Sequence, residues 1–308
     1  MALILLRQII SLFLIMGCGF LLVRLKLLKG SDSRALSVMS IYLIVPCVII
    51  KSFQIELTEE VRNGFLMAVA AAVLVHFCLL GLSFLFRRAL RLTGVERASA
   101  LYSNAGNLII PLVTAMLGEE WIIYASAFIC VQQFFLWTHG QATLSGERGV
   151  NWKKLFLNVN LISIVLGLLL MLLHIRLPDI LMSAVNSMAG AIGPVSMIML
   201  GMLLAEADLK AILTNRRVYL ISLLRLIVTP LLLLFVLKLA GFTGWVADGK
   251  TILYITFMAM ITPAATTITQ LAQLHRNQPE YASAINVMTT LLCMATMPLM
   301  TVIYMALM

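Results

Sequence analysis

Leu101-Tyr102-Ser103-Asn104-Ala105-Gly106-Asn107-Leu108-Ile109-Ile110-Pro111 puts two asparagines, a glycine and a proline inside an apolar run of membrane-crossing length. About 20 apolar residues carry a helix across a bilayer, and a proline among them removes an amide and crowds the preceding turn. Backbone groups freed in this way survive at membrane depth only where they face protein or a water-filled cavity. A second stretch, Thr262-Pro263-Ala264-Ala265-Thr266-Thr267-Ile268-Thr269-Gln270, has the same character. The two are linked by position: Leu101-Tyr102 precedes Pro111 as Leu253-Tyr254 precedes Pro263, at an offset of 152.

Two further landmarks recur in the same order. Tyr124-Ala125-Ser126-Ala127 returns as Tyr281-Ala282-Ser283-Ala284 at an offset of 157, and Pro46 matches Pro194 at 148. Ordered matches with slowly drifting offsets indicate an internal repeat, with halves at 1–149 and 150–308. Apolar runs bounded by charge or by Gly and Pro lie near 3–23, 35–53, 65–86, 98–117, 121–138, 155–174, 181–205, 218–239, 251–271 and 281–307. Five spans per half is an odd number, so the second half enters the membrane from the opposite side. The expected fold is an all-α polytopic membrane protein: ten transmembrane helices as two inverted repeats of five, with proline-broken crossover helices 4 and 9. Inverted repeats with paired interruptions characterise secondary transporters.

Composition agrees. Of 308 residues 62% are hydrophobic and 11% charged, against roughly 25% charged in soluble proteins, which leaves no room for a sizeable soluble domain. The formal charge of +9 is a topology signal rather than a nucleic-acid footprint, because no basic run is interleaved with exposed aromatics. Fifteen of the 22 Lys and Arg fall in the loops after spans 1, 3, 5, 7 and 9. This places those loops in the cytoplasm and both termini outside it. Cys18, Cys47, Cys78, Cys130 and Cys293 all lie in apolar stretches, with neither a disulfide framework nor a CxxC metal site.

The amino end of a half-helix offers unpaired N–H groups and a partial positive charge, so two such ends facing one cavity favour an anion. The substrate-binding candidates are Asn104, Asn107 and Pro111 in span 4, Thr262, Pro263 and Thr266 in span 9, and Gln133 and Asn286 behind the repeated tetrapeptide in spans 5 and 10. Pro46, Pro194, Pro230 and Pro298 read as ordinary kinks. All thirteen carboxylates fall in loops or at helix ends, which weakens the case for a cation as cargo. His76 lies in the middle of span 3 and reads as a packing residue or a proton-responsive group. Arg225, eight residues from Arg217, either snorkels to the interface or has a function. No catalytic constellation, metal set or cofactor motif stands out.

At Asn104-Ala105-Gly106-Asn107 through Pro111, Gly193-Pro194-Val195-Ser196 through Gly201, and Thr262-Pro263-Ala264-Ala265, the chain resembles the auxin efflux carrier family, which includes bacterial members and the plant PIN-type exporters. The resemblance covers essentially the whole chain. It implies a fold similar to bile-acid sodium symporters. Spans 1, 2, 6 and 7 would form a scaffold, dimeric in many members, and spans 3 to 5 and 8 to 10 a transport domain whose helices 4 and 9 cross at their prolines. It also implies elevator-like transport of organic carboxylate anions, with a bacterial inner membrane as the location. An asparagine near each crossover binds substrate in PIN-type proteins. Asn107 matches in span 4, whereas the equivalent place before Pro263 is Ala259.

The leading expectation is therefore a carrier of small organic anions working as an exporter, with the anion and the lipid bilayer as its partners and no nucleic acid. The alternative is a sodium- or proton-coupled importer of an organic anion. An intramembrane enzyme would need a catalytic pair at membrane depth, and the sequence offers none.

Overall fold

The computed structural model describes residues 2–56, 58–146, 157, 159–206 and 213–308. The expected boundary between halves at Gly149 and Val150, the start of the sixth span, and Arg148, Lys153, Lys154 and Lys210 lie outside the described residues.

Every regular element among the described residues is helical. In chain order these are α1 (Ala2–Arg24), α2 (Gly30–Ser52), α3 (Glu59–Ala89), α4 (Gly94–Leu101) and α5 (Ala105–Met116). There follow α6 (Glu119–Ser145), α7 (Val159–Leu172), α8 (Asp179–Glu206) and α9 (Arg216–Leu239). The last are α10 (Gly249–Met260), α11 (Thr266–Leu274) and α12 (Pro279–Leu307). Six of them, α2, α3, α6, α8, α9 and α12, are long and apolar enough to cross a membrane. The fourth expected span is two helices, α4 and α5, and the ninth is likewise α10 and α11.

Charge and capping set several ends. Thr58 caps α3 by accepting the Val61 amide, Glu59 and Glu60 occupy its first turn and Arg87 and Arg88 its last, each sign opposing the local dipole. Thr93 and Glu96 close a reciprocal capping box at α4. Prolines act locally: widened π turns at Ser40–Ile44 and Leu224–Val228 immediately precede Val45-Pro46 and Thr229-Pro230. A π turn absorbs the missing amide and the steric clash without ending the helix. Pro298 is accommodated inside α12.

α1 runs along the second half of α8, and α2 packs on α7 and on the first half of α8. A side chain at Gly19 would strike the Ile198 backbone, and one at Gly201 the Met16 backbone. Small residues thus let these two helices touch main chain to main chain, the usual means of helix association in lipid. α3 packs on α6 and α10, and α12 on α11 and the start of α9. One continuous apolar core draws buried residues from every helix but α1, with Ala105, Ile109, Ile110, Leu112 and Val113 from α5, and a smaller cluster of Met16, Leu108, Met197, Met199 and Leu200 joins α1 to α5 and α8.

Candidate binding site at the helix breaks

α4 ends at Leu101, Tyr102 is extended at φ −91° and ψ 128°, and α5 begins at Ala105. α10 ends at Met260 and α11 begins at Thr266. The two irregular stretches run antiparallel through a bridge between Ser103 and Ala264. The Asn104 amide donates to the Pro263 carbonyl at 2.8 Å, and the Ala265 amide to the Tyr102 carbonyl at 3.0 Å. Each break therefore satisfies main-chain groups that the other exposes, as buried backbone requires.

Side chains complete the pairing on both flanks. Gln132 of α6 accepts the Ser103 amide at 3.2 Å and its hydroxyl at 2.5 Å, and returns its own NH2 to the Ser103 carbonyl at 2.9 Å. On the other side Thr289 of α12 accepts the Ala264 amide at 3.1 Å, and the Asn286 amide donates to the Ala264 carbonyl at 2.6 Å. Gln132 and Thr289 are 157 residues apart, the offset of the repeated tetrapeptide.

The expectation that a new half-helix begins beyond each proline holds for Pro263 and fails for Pro111. Pro111 lies in the interior of α5, and the break comes at 102–104, where the sequence has no proline. The reason is energetic: Ser103 is held extended by the opposite strand and by Gln132, which offer its backbone better partners than a helical turn. Pro111 instead stands beside Gly193, where an added Cβ would lie 3.5 Å from the ring.

Three predicted residues meet at the amino ends of α5 and α11. Asn107 donates to the Asn104 side-chain oxygen at 3.0 Å and to the Thr266 hydroxyl at 3.2 Å, and the Thr266 hydroxyl points at the same Asn104 oxygen at 3.5 Å. Asn104 is 3% exposed, yet its NH2 group has no partner. In the first turns Asn107 and Ile268 already donate to the Asn104 and Ala265 carbonyls, and the amides ahead of them in each helix have no intrahelical acceptor. At Gly106 a Cβ would meet nothing within 4 Å, so the first turn of α5 borders open space.

The other candidates are placed differently. Thr262 is fully buried and its hydroxyl bonds back to the Ala259 carbonyl at 2.9 Å. Pro263 contributes a carbonyl to the crossover. Asn286 sits where the crossover meets a pocket lined by Met16, Leu200, Leu203 and Leu204 on one side and Asn286, Val287, Thr290 and Leu291 on the other. Gln133 does not reach the breaks; its neighbour Gln132 does, and the Gln133 side-chain oxygen has no partner.

Arg225 does not snorkel. It is 2% exposed and donates to the Leu101 carbonyl at 3.0 Å, to Met260 at 2.6 Å, and to Thr262 at 3.0 and 3.1 Å. Every one of these acceptors is at or just beyond the carboxyl end of α4 or α10.

The chain belongs to the membrane transport protein family. The family model matches residues 4–149 and 147–301, and this is the auxin efflux carrier family that the motifs at Asn104, Gly193 and Thr262 resemble. No curated relative matches the chain. The family is one of transporters, not of enzymes.

In this membrane transport protein the structure supports one of the two readings given for His76 and adds two features that sequence reading did not assign. His76 is a packing residue: its ring stacks on Phe135 at 5.2 Å, leans on Phe128 at 5.1 Å, and has its Nδ1 2.7 Å from the Ala72 carbonyl. Tyr102, at the first break, has its hydroxyl 2.8 Å from His139 Nδ1. The other ring nitrogen of His139 is 3.2 Å from the Ser83 hydroxyl, which accepts from Arg97 at 3.4 Å. Glu96 is a helix-end carboxylate that is nevertheless buried, clasped by Arg217 at 2.6 and 2.8 Å and by the Tyr281 hydroxyl at 2.9 Å. Burial pushes its carboxyl up. The hydrogen bonds from Arg217, the Thr93 amide and Tyr281, with the Arg217 charge, outweigh burial and hold it below the ordinary carboxylate range. This clasp ties together the starts of α4, α9 and α12.

Proposed function

We propose that this membrane transport protein carries small organic carboxylate anions across the membrane, working as an exporter. The observation that carries the reading is the unpartnered, buried NH2 of Asn104, set beside Asn107 and Thr266 where the amino ends of α5 and α11 meet. The free Asn104 NH2, oriented by the bonds of Asn107 and Thr266 to its side-chain oxygen, and two helix ends of positive potential make a site for negative charge in low dielectric. The preference for an organic over an inorganic anion rests on the likeness of the crossover motifs to the auxin efflux carrier family.

The ten-span, inverted arrangement with external termini is part of the same proposal. α1, α2, α7 and α8 would stand as a scaffold, and as the face of a homodimer, while the other helices move against them as a unit. Two observations support that division: the close α1–α8 crossing at Gly19 and Gly201, and the Glu96 clasp that binds α4, α9 and α12 into one body. A second reading, proton-coupled uptake, draws on the chain from Tyr102 through His139 and Ser83 to Arg97, which links the first break to one end of the bundle.

A screen of unlabelled carboxylates for thermal stabilisation of the purified protein identifies the cargo, since a ligand bound only by the folded state raises apparent stability. Labelled flux in proteoliposomes then tests it. Asn107→Ala should insert normally and lose most anion flux; unchanged transport would remove Asn107 from the site. Flux that responds to an imposed pH gradient favours the second reading.

A further inference from the structure

Arg225 is placed in the interior by the π turn Leu224–Val228, and its four hydrogen bonds all go to main-chain carbonyls, those of Leu101, Met260 and Thr262. Leu101 and Met260 are the last residues of α4 and α10. Terminal carbonyls of a helix have no intrahelical donor, and together they carry about half a negative charge per helix end. Two such ends give about one negative charge, the complement of one guanidinium. The ion pairs among the described residues join Lys51 to Glu119, Arg62 to Glu59 and Arg217 to Glu96. The charge of Arg225 is thus matched by carbonyl dipoles and not by a carboxylate.

Convergent carbonyls from unwound, half-helical segments are the groups with which transporters of this general build coordinate sodium. Here a side chain of the same protein already fills that position. We propose that Arg225 is a tethered cation occupying the carbonyl cage at the helix crossover in place of a mobile sodium ion, so that the protein binds and moves its anion without sodium. The inference deepens the proposed function and rests on it for the identity of the cargo. It also has a consequence for charge. With the carboxyl ends of α4 and α10 neutralised, the amino ends of α5 and α11 keep about half a positive charge each, together the match for a single carboxylate.

The cage is read without any cargo by melting the purified protein in choline chloride, sodium chloride, or choline with added guanidinium. Wild type should melt at the same temperature in all three. Arg225→Ala empties the cage, should melt lower in choline, and should regain roughly 2–4 °C with guanidinium at low millimolar concentration or with sodium. Arg225→Lys keeps a tethered cation and should remain indifferent to sodium. In proteoliposomes, wild-type anion flux should agree within about twofold between sodium and choline, well inside the tenfold that 1.4 kcal/mol represents. A tenfold loss of wild-type flux or a marked loss of wild-type stability in choline overturns the proposal, even if no Arg225 variant folds. So does a monodisperse Arg225→Ala whose melting ignores both cations. Failure of every carboxylate to move, with the melting pattern as expected, overturns the cargo assignment and leaves the tethered cation standing.

Discussion

The two helix breaks meet in one antiparallel pair but are held open by different means. The second contains Pro263, which has no amide to lose, and its neighbour Ala264 is satisfied by Thr289 and Asn286 together. The first contains no proline, and Gln132 alone handles the amide, hydroxyl and carbonyl of Ser103. A proline break is built into the covalent chain, whereas a glutamine break exists only while the tertiary contact exists. The first break also brings two asparagines to the meeting of the helix ends, where the second brings Thr266. The site is lopsided, with fixed geometry on one side and most of the hydrogen-bonding capacity on the other.

The largest loss is expected from Gln132→Ala. It strands a buried amide, hydroxyl and carbonyl at once, and an unsatisfied buried polar group costs about 1–3 kcal/mol, so the melting temperature should fall far. Asn286→Ala strands the Ala264 carbonyl alone and should cost about 1–3 kcal/mol; equal losses for the two variants would erase the asymmetry. Next in size is Asn104→Ala, which should reduce anion flux by about tenfold or more, the equivalent of one lost charge-assisted hydrogen bond, with a fall in melting temperature smaller than that of Gln132→Ala because Asn107 loses one acceptor and keeps Thr266.

Pro263→Ala and Pro111→Ala sharpen the contrast further. Pro263→Ala should impair cycling, because the break loses its covalent enforcement. Pro111→Ala only returns an amide to the interior of α5 and should leave transport within about twofold, the size of a few tenths of a kcal/mol. Comparable damage from both would return Pro111 to the site. The smallest effect concerns the Glu96 clasp. Its folded-state carboxyl titrates below the ordinary range, so its contribution is complete above the unfolded value of about 4.3 and is lost as pH falls through the lower folded value. Melting of wild type should therefore drop more steeply than that of Glu96→Gln over the same acid interval; parallel curves would show that Glu96 adds nothing.

Which two spans are interrupted was legible, but the place of the first break was not, and the construction of the pair was only half so. Asn104, Asn107 and Thr266 stood out because polar side chains at membrane depth are costly and draw attention without any knowledge of neighbours. Pro111 misled for the complementary reason: a helix tolerates a proline when its turn can adjust, and no local signal shows that Ser103, eight residues earlier, is where the chain departs. Gln132 looked no different from Gln133, since both are amides on one helix and only packing selects which face meets Ser103.

From the amino-acid sequence alone came the membrane-crossing helices, the recurrent landmarks and the asparagines of the crossover. All of these follow from hydrophobicity, spacing and the cost of burying polar groups, which act along the chain. The tertiary structure alone decided the fate of Arg225. Its acceptors are 124, 35 and 37 residues away and are main-chain carbonyls, which every residue possesses. A carbonyl becomes a partner for a buried cation only when its helix stops beside that cation, and where a helix stops in relation to a distant side chain is fixed by the fold.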